Sequence, residues 1–259
     1  MYFHYLKKAL PLPKLIDFER YLFVGAHPDD IEIGCGGTIA KLTHLGKTVK
    51  FVIVTDGGSG STDPKANPID LVQMRKAESD TSRLILKVSS ISFLGFPDGG
   101  EYSIWDVAKK LAPIIYDWNP DIIVAPDPQM PSEIHPDHIR CGEAIKIAGL
   151  MAAYPLIYKQ HVKTDEELDP NRFRMRSLAF YYTHRPNRFV RLNADEVSMQ
   201  KEAISAHASQ FPKPEDLSII LTYLKLRGRL FGSVGRRQIE GYFVLGKEHQ
   251  HCFPEVNRY

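Results

Sequence analysis

The sequence predicts an α/β fold: a Rossmann-like, doubly wound and mostly parallel sheet. Three observations carry that reading. Apolar β-branched segments alternate with helix-like segments four times in about the first 150 residues. The strand-like segments are apolar throughout rather than alternating, as strands buried on both faces are. Ionisable residues crowd the segments directly after these strands, where open α/β sheets hold their ligands.

The elements follow in order. Residues 21–26 (YLFVGA) form the first strand. A helix over about 33–45 places Ile39, Leu42 and Leu45 on one face and stops at Gly46. The β-branched run Thr48–Thr55 is the second strand. A helix over 71–86, a strand over 91–96, a helix over 104–117, a strand over 121–125 and a helix over 137–152 complete the alternation. Beyond it, 178–183 and 188–192 read as strands around a turn at Pro186-Asn187, with helices at 194–209 and 215–229 and a last strand at Ile239–Leu245. No Gly/Ser linker or repeat divides the chain, so one domain spans 1–259, with a core at about 21–245 and the C-terminal part as its elaboration.

Composition excludes several classes. The 259 residues are 43% hydrophobic and 25% charged, ordinary for a globular enzyme-sized domain. A formal net charge of +2 gives no basic footprint for nucleic acid. The local cluster Arg227, Arg229, Arg236 and Arg237 suits a carboxylate or a neighbouring subunit. No apolar run approaches the roughly 18 residues of a membrane span, and the N-terminus lacks a signal-peptide pattern, so a cytoplasmic protein without a membrane partner is expected. Cys35, Cys141 and Cys252 are odd in number and far apart, unlike a disulfide frame or a zinc ribbon.

Two loops carry the chemistry. The first reads Gly25-Ala26-His27-Pro28-Asp29-Asp30-Ile31-Glu32; the fourth reads Glu133-Ile134-His135-Pro136-Asp137-His138. Imidazole with carboxylate suits zinc, and Pro28 helps turn the chain so that His and Asp converge. Either cluster alone reads equally as a turn whose Asp caps the next helix. Both at corresponding ends of parallel strands favour a three-ligand metal site with an open position for water. Such a site then needs a base beside that water and a donor facing the developing oxyanion.

GAHPDDIEIGCGGT, followed later by HPDH, resembles the LmbE-like (PIG-L type) zinc de-N-acetylases, over about residues 21–243. TDGGSGSTD, APDPQMPSEIHPDH, FYYTHRPN and AHASQF are similar to members that act on diacetylchitobiose. The resemblance implies a Rossmann-like hydrolase that removes the acetyl group from a small GlcNAc-containing glycoside, diacetylchitobiose or GlcNAc first, with Zn2+ as cofactor. It implies His27, Asp30 and His138 as zinc ligands and Asp29 as general base. It further implies that His135 steadies the oxyanion, that the Asp137 carboxylate orients His135, and that Arg75 binds substrate or intermediate. Many relatives carry Glu directly after the paired Asp, whereas here Ile31 precedes Glu32.

Rival readings remain: a deacetylase of a thiol-cofactor precursor such as GlcNAc-malate, a Rossmann-type nucleotide-binding protein, or a sugar-binding module with structural zinc. Fe(II) also suits a His-Asp-His site. Gly34-Cys35-Gly36-Gly37 lacks the G-x-G-x-x-G spacing of a nucleotide loop, and tight packing is its simpler reading, with Cys35 a buried hydrophobe. Among loop residues, Asp98 is the candidate for sugar hydroxyls, Asp56 for a bond to the first loop, and Asp63 for a turn. Tyr182 and His184 are candidates to line the pocket, with Tyr181 alternating into the core. His207 reads as structural, closing its helix against the sheet. A homo-oligomer is expected, in which the tail with His251 folds over a substrate pocket, its own or a neighbour's.

Overall fold

The computed structural model describes residues 2–164, 166–231 and 238–258. Seven strands form one sheet: β1 (Arg20–Gly25), β2 (Thr48–Thr55), β3 (Ser90–Phe96), β4 (Ile122–Pro126), β5 (Ser177–Tyr181), β6 (Arg188–Arg191) and β7 (Ile239–Leu245). Their order across the sheet is β3-β2-β1-β4-β5-β7-β6. The first five run parallel; β7 is antiparallel to β5, and β6 to β7. The helices are α1 (Tyr2–Ala9), α2 (Asp30–His44), α3 (Pro68–Ile85), α4 (Ile104–Trp118), α5 (Pro136–Met151), α6 (Pro155–His161), α7 (Ala194–Ser205) and α8 (Pro214–Leu230). No described helix is long and apolar enough to cross a membrane.

The central strands β1, β4 and β5 are buried on both faces, whereas the edge strand β3 is mostly half-buried. In β1, Leu22 and Val24 pack with Leu111, Ile115 and Ile145 of α4 and α5. Tyr21 and Phe23 pack on the other face with Ile39 and Leu42 of α2. Helix ends carry their own signals. Ser103 and Asp106 form a capping box on α4, as do Asn193 and Glu196 on α7, and Pro68, Pro136 and Pro155 occupy first-turn positions.

Two short helices, α1 and α6, have no counterpart in the sequence reading; each is too brief for a repeating apolar face. α2 starts three residues earlier than its periodicity suggests, so Asp30 lies within it. α7 stops at Ser205 rather than 209. The expectation that the C-terminal tail covers this chain's own site is corrected. Because β7 is antiparallel, it carries the chain from the carboxyl ends of the parallel strands to their amino ends, pairing Leu245 with Leu178 at the start of β5. There the His249 Nε2 lies 3.1 Å from the Leu10 carbonyl and the Gln250 amide donates to the Arg176 carbonyl, while His251 is exposed. Arg236 and Arg237 lie outside the described residues.

Helix α5 fits β4 through Gly142. A Cβ there would stand 2.4 Å from the Pro126 carbonyl oxygen and 2.6 Å from Pro128 Cδ. Gly142→Ala should therefore lower stability by about 1–3 kcal/mol, the usual cost of overpacking. Gly149, on the same helix, meets nothing closer than 3.9 Å, so Gly149→Ala should be neutral or stabilise by up to about 1 kcal/mol through helix propensity. Urea denaturation midpoints of the two variants check this opposition.

Candidate metal centre

Strand order places the site. β1 and β4 are neighbours, while the chain continues from β1 toward β2 on one side and from β4 toward β5 on the other. Such a reversal opens a crevice at the carboxyl ends of the strands. The loop after β1 carries His27, Asp29 and Asp30; the loop after β4 carries Glu133, His135, Asp137 and His138. Thr55, at the end of β2, fixes the first loop by donating its N–H and its hydroxyl to the Ala26 carbonyl. Asp127 fixes the second by accepting from the Gln129 N–H and the Thr183 hydroxyl.

Asp30 joins the two loops. Its Oδ2 accepts from the His27 backbone N–H at 2.7 Å and lies 3.4 Å from His27 Nδ1, while its Oδ1 lies 3.2 Å from His138 Nε2. One ligand atom from each of His27, Asp30 and His138 falls within 4.8 Å of the others. These residues fit a divalent metal on a second count: each imidazole has its other nitrogen on a carboxylate. His138 Nδ1 lies 2.8 Å from Glu133 Oε2, and His27 Nε2 lies 3.1 Å from Asp98 Oδ1 and 3.3 Å from Asp137 Oδ2. Carboxylate–histidine pairs of this kind fix the ring and raise its basicity toward a metal.

The electrostatics agree. Burial works against a charged His27, yet Asp137, Asp30 and Asp98 push its pKa up to about 12; Asp30 and Glu133 likewise raise His138 to about 9. Burial would raise Asp30, but His138 and His27 hold it well below the usual carboxylate range. The surrounding carboxylates thus demand positive charge at this point, which a divalent cation supplies while displacing protons.

Asp29 stands beside this group without joining it. Its φ of 115° is a strained conformation for a residue with a side chain. It occupies the position before α2, but its side chain makes no capping bond, so the simple helix-cap reading fails. Arg75 holds the turn, donating to the Pro28 carbonyl at 2.7 Å and the Gly57 carbonyl at 3.0 Å, with the Asp29 carboxylate 3.5 Å away. Burial, then the charge of Asp30, push Asp29 up to about 7, against the pull of Arg75.

Other candidates divide. The Asp98 side chain is almost fully buried between His27 and Arg75, accepting from the Ser59 N–H. The Tyr182 hydroxyl donates to the Asp30 carbonyl, and its ring lies 6.2 Å from that of His138, whereas Tyr181 is fully buried. His184 is exposed at the end of its loop. The role expected of the Asp137 carboxylate needs correction. It lies 3.9 Å from His135 Nδ1, and its oxygens are occupied by the Gly99 N–H, the Tyr102 hydroxyl, Arg140 and His27. What orients His135 is the Asp137 backbone N–H, which donates to His135 Nδ1 at 3.3 Å. That bond leaves the proton of a neutral ring on Nε2. Burial and the neighbouring imidazoles of His27 and His138 hold His135 below its ordinary pKa.

Three further expectations change. Asp56 accepts from the Gly58 and Asp98 N–H groups, so it shapes the Asp98 loop rather than the first loop. Asp63 accepts from the Lys65 N–H, as a turn residue does. His207 is fully buried with its Nε2 3.3 Å from Glu32 Oε1, and Glu32 also accepts from the Ser82 hydroxyl. His207 therefore ties α7 to α2 and α3, not to the sheet, and Glu32 is spent on that contact. In Gly34-Cys35-Gly36-Gly37 the glycines admit side chains. A Cβ on Gly34 would stand 2.4 Å from the Tyr181 ring and one on Gly37 2.2 Å from Leu192. Glu240 accepts from the Gly37 and Thr38 N–H groups. An internal carboxylate thus occupies those amides, as the packing reading expects. Sequence reasoning gave no role to Glu133, Tyr102 or Arg140. Glu133 was visible two residues before His135; nothing in the sequence marked Tyr102, 35 residues from its partner.

A family model described as PIG-L, GlcNAc-PI de-N-acetylase, matches residues 22–148. The diacetylchitobiose deacetylase of Thermococcus kodakarensis is 35% identical over 239 residues, covering 88% of this chain and 86% of that protein. The chain belongs to the PIG-L family. Among solved structures, the N,N'-diacetylchitobiose deacetylase from Pyrococcus horikoshii, in complex with an inhibitor, superposes with a TM-score of 0.88 at 31% identity, covering 100% of this chain and 96% of that one. The 4-carboxy-2-hydroxymuconate hydratase of Pseudomonas putida shares the fold at 18% identity, with a TM-score of 0.69 and coverage of 88% and 96%. The fold alone therefore does not fix the reaction; site residues must. His27, Asp30 and His138 lie within the matched residues and converge in a cluster that could hold a metal, in a family that depends on one.

Two outcomes follow from this geometry. Glu133→Gln should weaken metal binding by about 10–100-fold, the usual effect of losing a carboxylate behind a ligating His; competition with a chromogenic chelator measures it. Asp29→Gly should raise stability by about 1 kcal/mol or more by releasing the strained φ, read as a higher denaturation midpoint.

Proposed function

We propose that this PIG-L chain is a zinc-dependent N-deacetylase of small GlcNAc-containing glycosides, with diacetylchitobiose or GlcNAc as first candidates. The observation that carries the reading is the placement of Asp29. It is a partly buried carboxylate at a strained φ next to the ligand set, its pKa raised by burial and by Asp30, and it is not itself needed to close that set. His27, Asp30 and His138 would hold a Zn2+ ion, which when bound would supply Lewis acidity for the acyl oxygen and for water, whose pKa such an ion can lower to about 7.

The protein groups then divide the work. Asp29 takes a proton from the attacking water as its oxygen adds to the acetyl carbon. The His135 Nε2–H donates to the carbonyl oxygen as that oxygen gains charge, a role open to a neutral ring because Nδ1 is already an acceptor. Asp29, now a carboxylic acid, returns the proton to the departing nitrogen as the C–N bond breaks. One water is consumed; acetate and a free amino sugar leave. Arg75 fixes the Asp29 turn, Asp98 is spent on His27 and Ser59, and part-buried Tyr182 lines the substrate side. The free thiols Cys35, Cys141 and Cys252, the last of them exposed, suit a reducing cytoplasm.

Acetate release across N-acetylated sugars, from diacetylchitobiose and GlcNAc to GlcNAc-malate, tests the reaction and ranks the substrates. Asp29→Ala should retain metal and lose turnover on the order of 10²–10⁴-fold. Asp30→Ala should lose the metal with the activity. If Asp29→Ala instead emptied the site while Asp30→Ala kept it full, the roles of the two residues would be exchanged.

A further inference from the structure

The loop after β2 (residues 55–63) and the segment after α7 (residues 206–211) meet beside Arg75. Three side chains from outside the loop tie its glycine-rich part down. Arg75 Nη1 donates to the Gly57 carbonyl at 3.0 Å, Asp98 accepts from the Ser59 N–H at 3.2 Å, and the Gln210 amide donates to the Gly60 carbonyl at 3.1 Å. Glycine gives a backbone no stiffness of its own, so these ties set the shape of the loop. The fit is close: a Cβ on Gly60 would stand 2.3 Å from Arg75 Nη1 and 3.1 Å from Gln210 Oε1. Gln210 is itself held in place. Its amide also donates to the Ser209 hydroxyl at 3.2 Å, and the Ser209 N–H and hydroxyl both donate to Glu78, on the same helix α3 as Arg75.

We infer that Gln210 is a positioning residue for Asp29, acting through the Gly60 loop and Arg75. The inference rests on the reading of Asp29 as the base. Arg75 is 2% exposed, and its two terminal nitrogens donate to backbone carbonyls, Gly57 from the loop and Pro28 from the Asp29 turn. The carboxylates of Asp29 and Asp98 stand just beyond, at 3.5 Å and 3.8 Å. A buried guanidinium that loses one acceptor has to find another, and a carboxylate is a stronger acceptor than a carbonyl. If the loop lifts, the Gly57 carbonyl leaves Nη1 and the guanidinium closes on Asp29. The base is then engaged in an ion pair instead of facing the water it deprotonates. Gln210, by holding Gly60, keeps Arg75 on the backbone and the Asp29 carboxylate free.

Steady-state acetate release by the metal-loaded full-length enzyme tests this, with diacetylchitobiose as substrate, or GlcNAc where that turns over faster. Gln210→Met keeps the volume of the side chain and removes its donor. It should lower kcat by about 10–100-fold, the cost of a slightly misplaced catalytic group, while KM and metal per chain stay as they are. Gly60→Ala should do the same by wedging a methyl between Arg75 and Gln210. A double-variant cycle with Arg75→Lys separates positioning from general support, since an ammonium cannot hold two carbonyls as the planar fork does. Because Gln210 acts through Arg75, adding Gln210→Met to Arg75→Lys should cost no further kcat; a merely structural role would multiply the two losses. Should Arg75→Lys not fold, the cycle with Gly60→Ala decides in the same way. Unchanged kcat in Gln210→Met, a change in KM alone, or multiplied losses in the double variant would overturn the inference. Turnover retained in Asp29→Ala would overturn the base reading and this inference with it; turnover lost in Asp29→Ala but kept in Gln210→Met would overturn this inference alone.

Discussion

One buried carboxylate organises the active end of this protein. Asp30 has its two oxygens on different loops, one facing His27 and the other His138. A carboxylate this deeply buried is costly unless it is paired, and leaving one without partners costs several kcal/mol. Both loops must therefore hold their shape together. The sheet makes this possible because β1 and β4 are adjacent and parallel, so their carboxyl ends open side by side. Pro136 at the start of α5 and the turn around Pro28 then bring the imidazoles to Asp30.

The outer residues read as a response to that concentration of charge. Arg75 and Arg140 return positive charge at the edge of the cluster, and Gly99 and Tyr102 donate hydrogen bonds to Asp137. Each such donor stabilises an ionised carboxylate where solvent cannot. Behind the site, Glu240 and Gln200 bond to the backbone of α2, and Glu32 with His207 and Ser82 ties α2 to α7 and α3. α2 starts at Asp30, so these contacts fix the Asp30 carboxylate through its helix. Two residues beside the cluster hold a positive φ, Asp29 at 115° and Tyr182 at 53°.

Much of this was legible in the sequence, for physical reasons. A uniformly apolar run such as 122–125 can only be buried on both faces, and that burial requires helices on both sides. His, Asp and Glu gathered after such strands have to lie at one edge of the sheet. Within Asp29-Asp30, only the resemblance to the family motif implied which residue is ligand and which is base. What stayed hidden depends on contacts between distant residues. Asp137 looked like the partner of His135 because it is two residues away, but its carboxylate bonds across 110 residues to His27 instead. The place of the tail followed from the antiparallel direction of β7, which a strand's composition does not encode. Helices α1 and α6 span only about two turns each, less than the window of about 11–18 residues in which a helical period shows.

The central claim is that donor atoms of His27, Asp30 and His138 meet at one ion, with Asp29 alongside and uncoordinated. Crystals of protein loaded with one equivalent of Zn2+, measured at the zinc absorption edge, test it most directly. The account predicts a single anomalous peak about 2.0–2.2 Å from His27 Nδ1, an Asp30 carboxylate oxygen and His138 Nε2. A peak coordinated by Asp29, or one bound through His27 Nε2 with Asp30 and His138 left out, would contradict it.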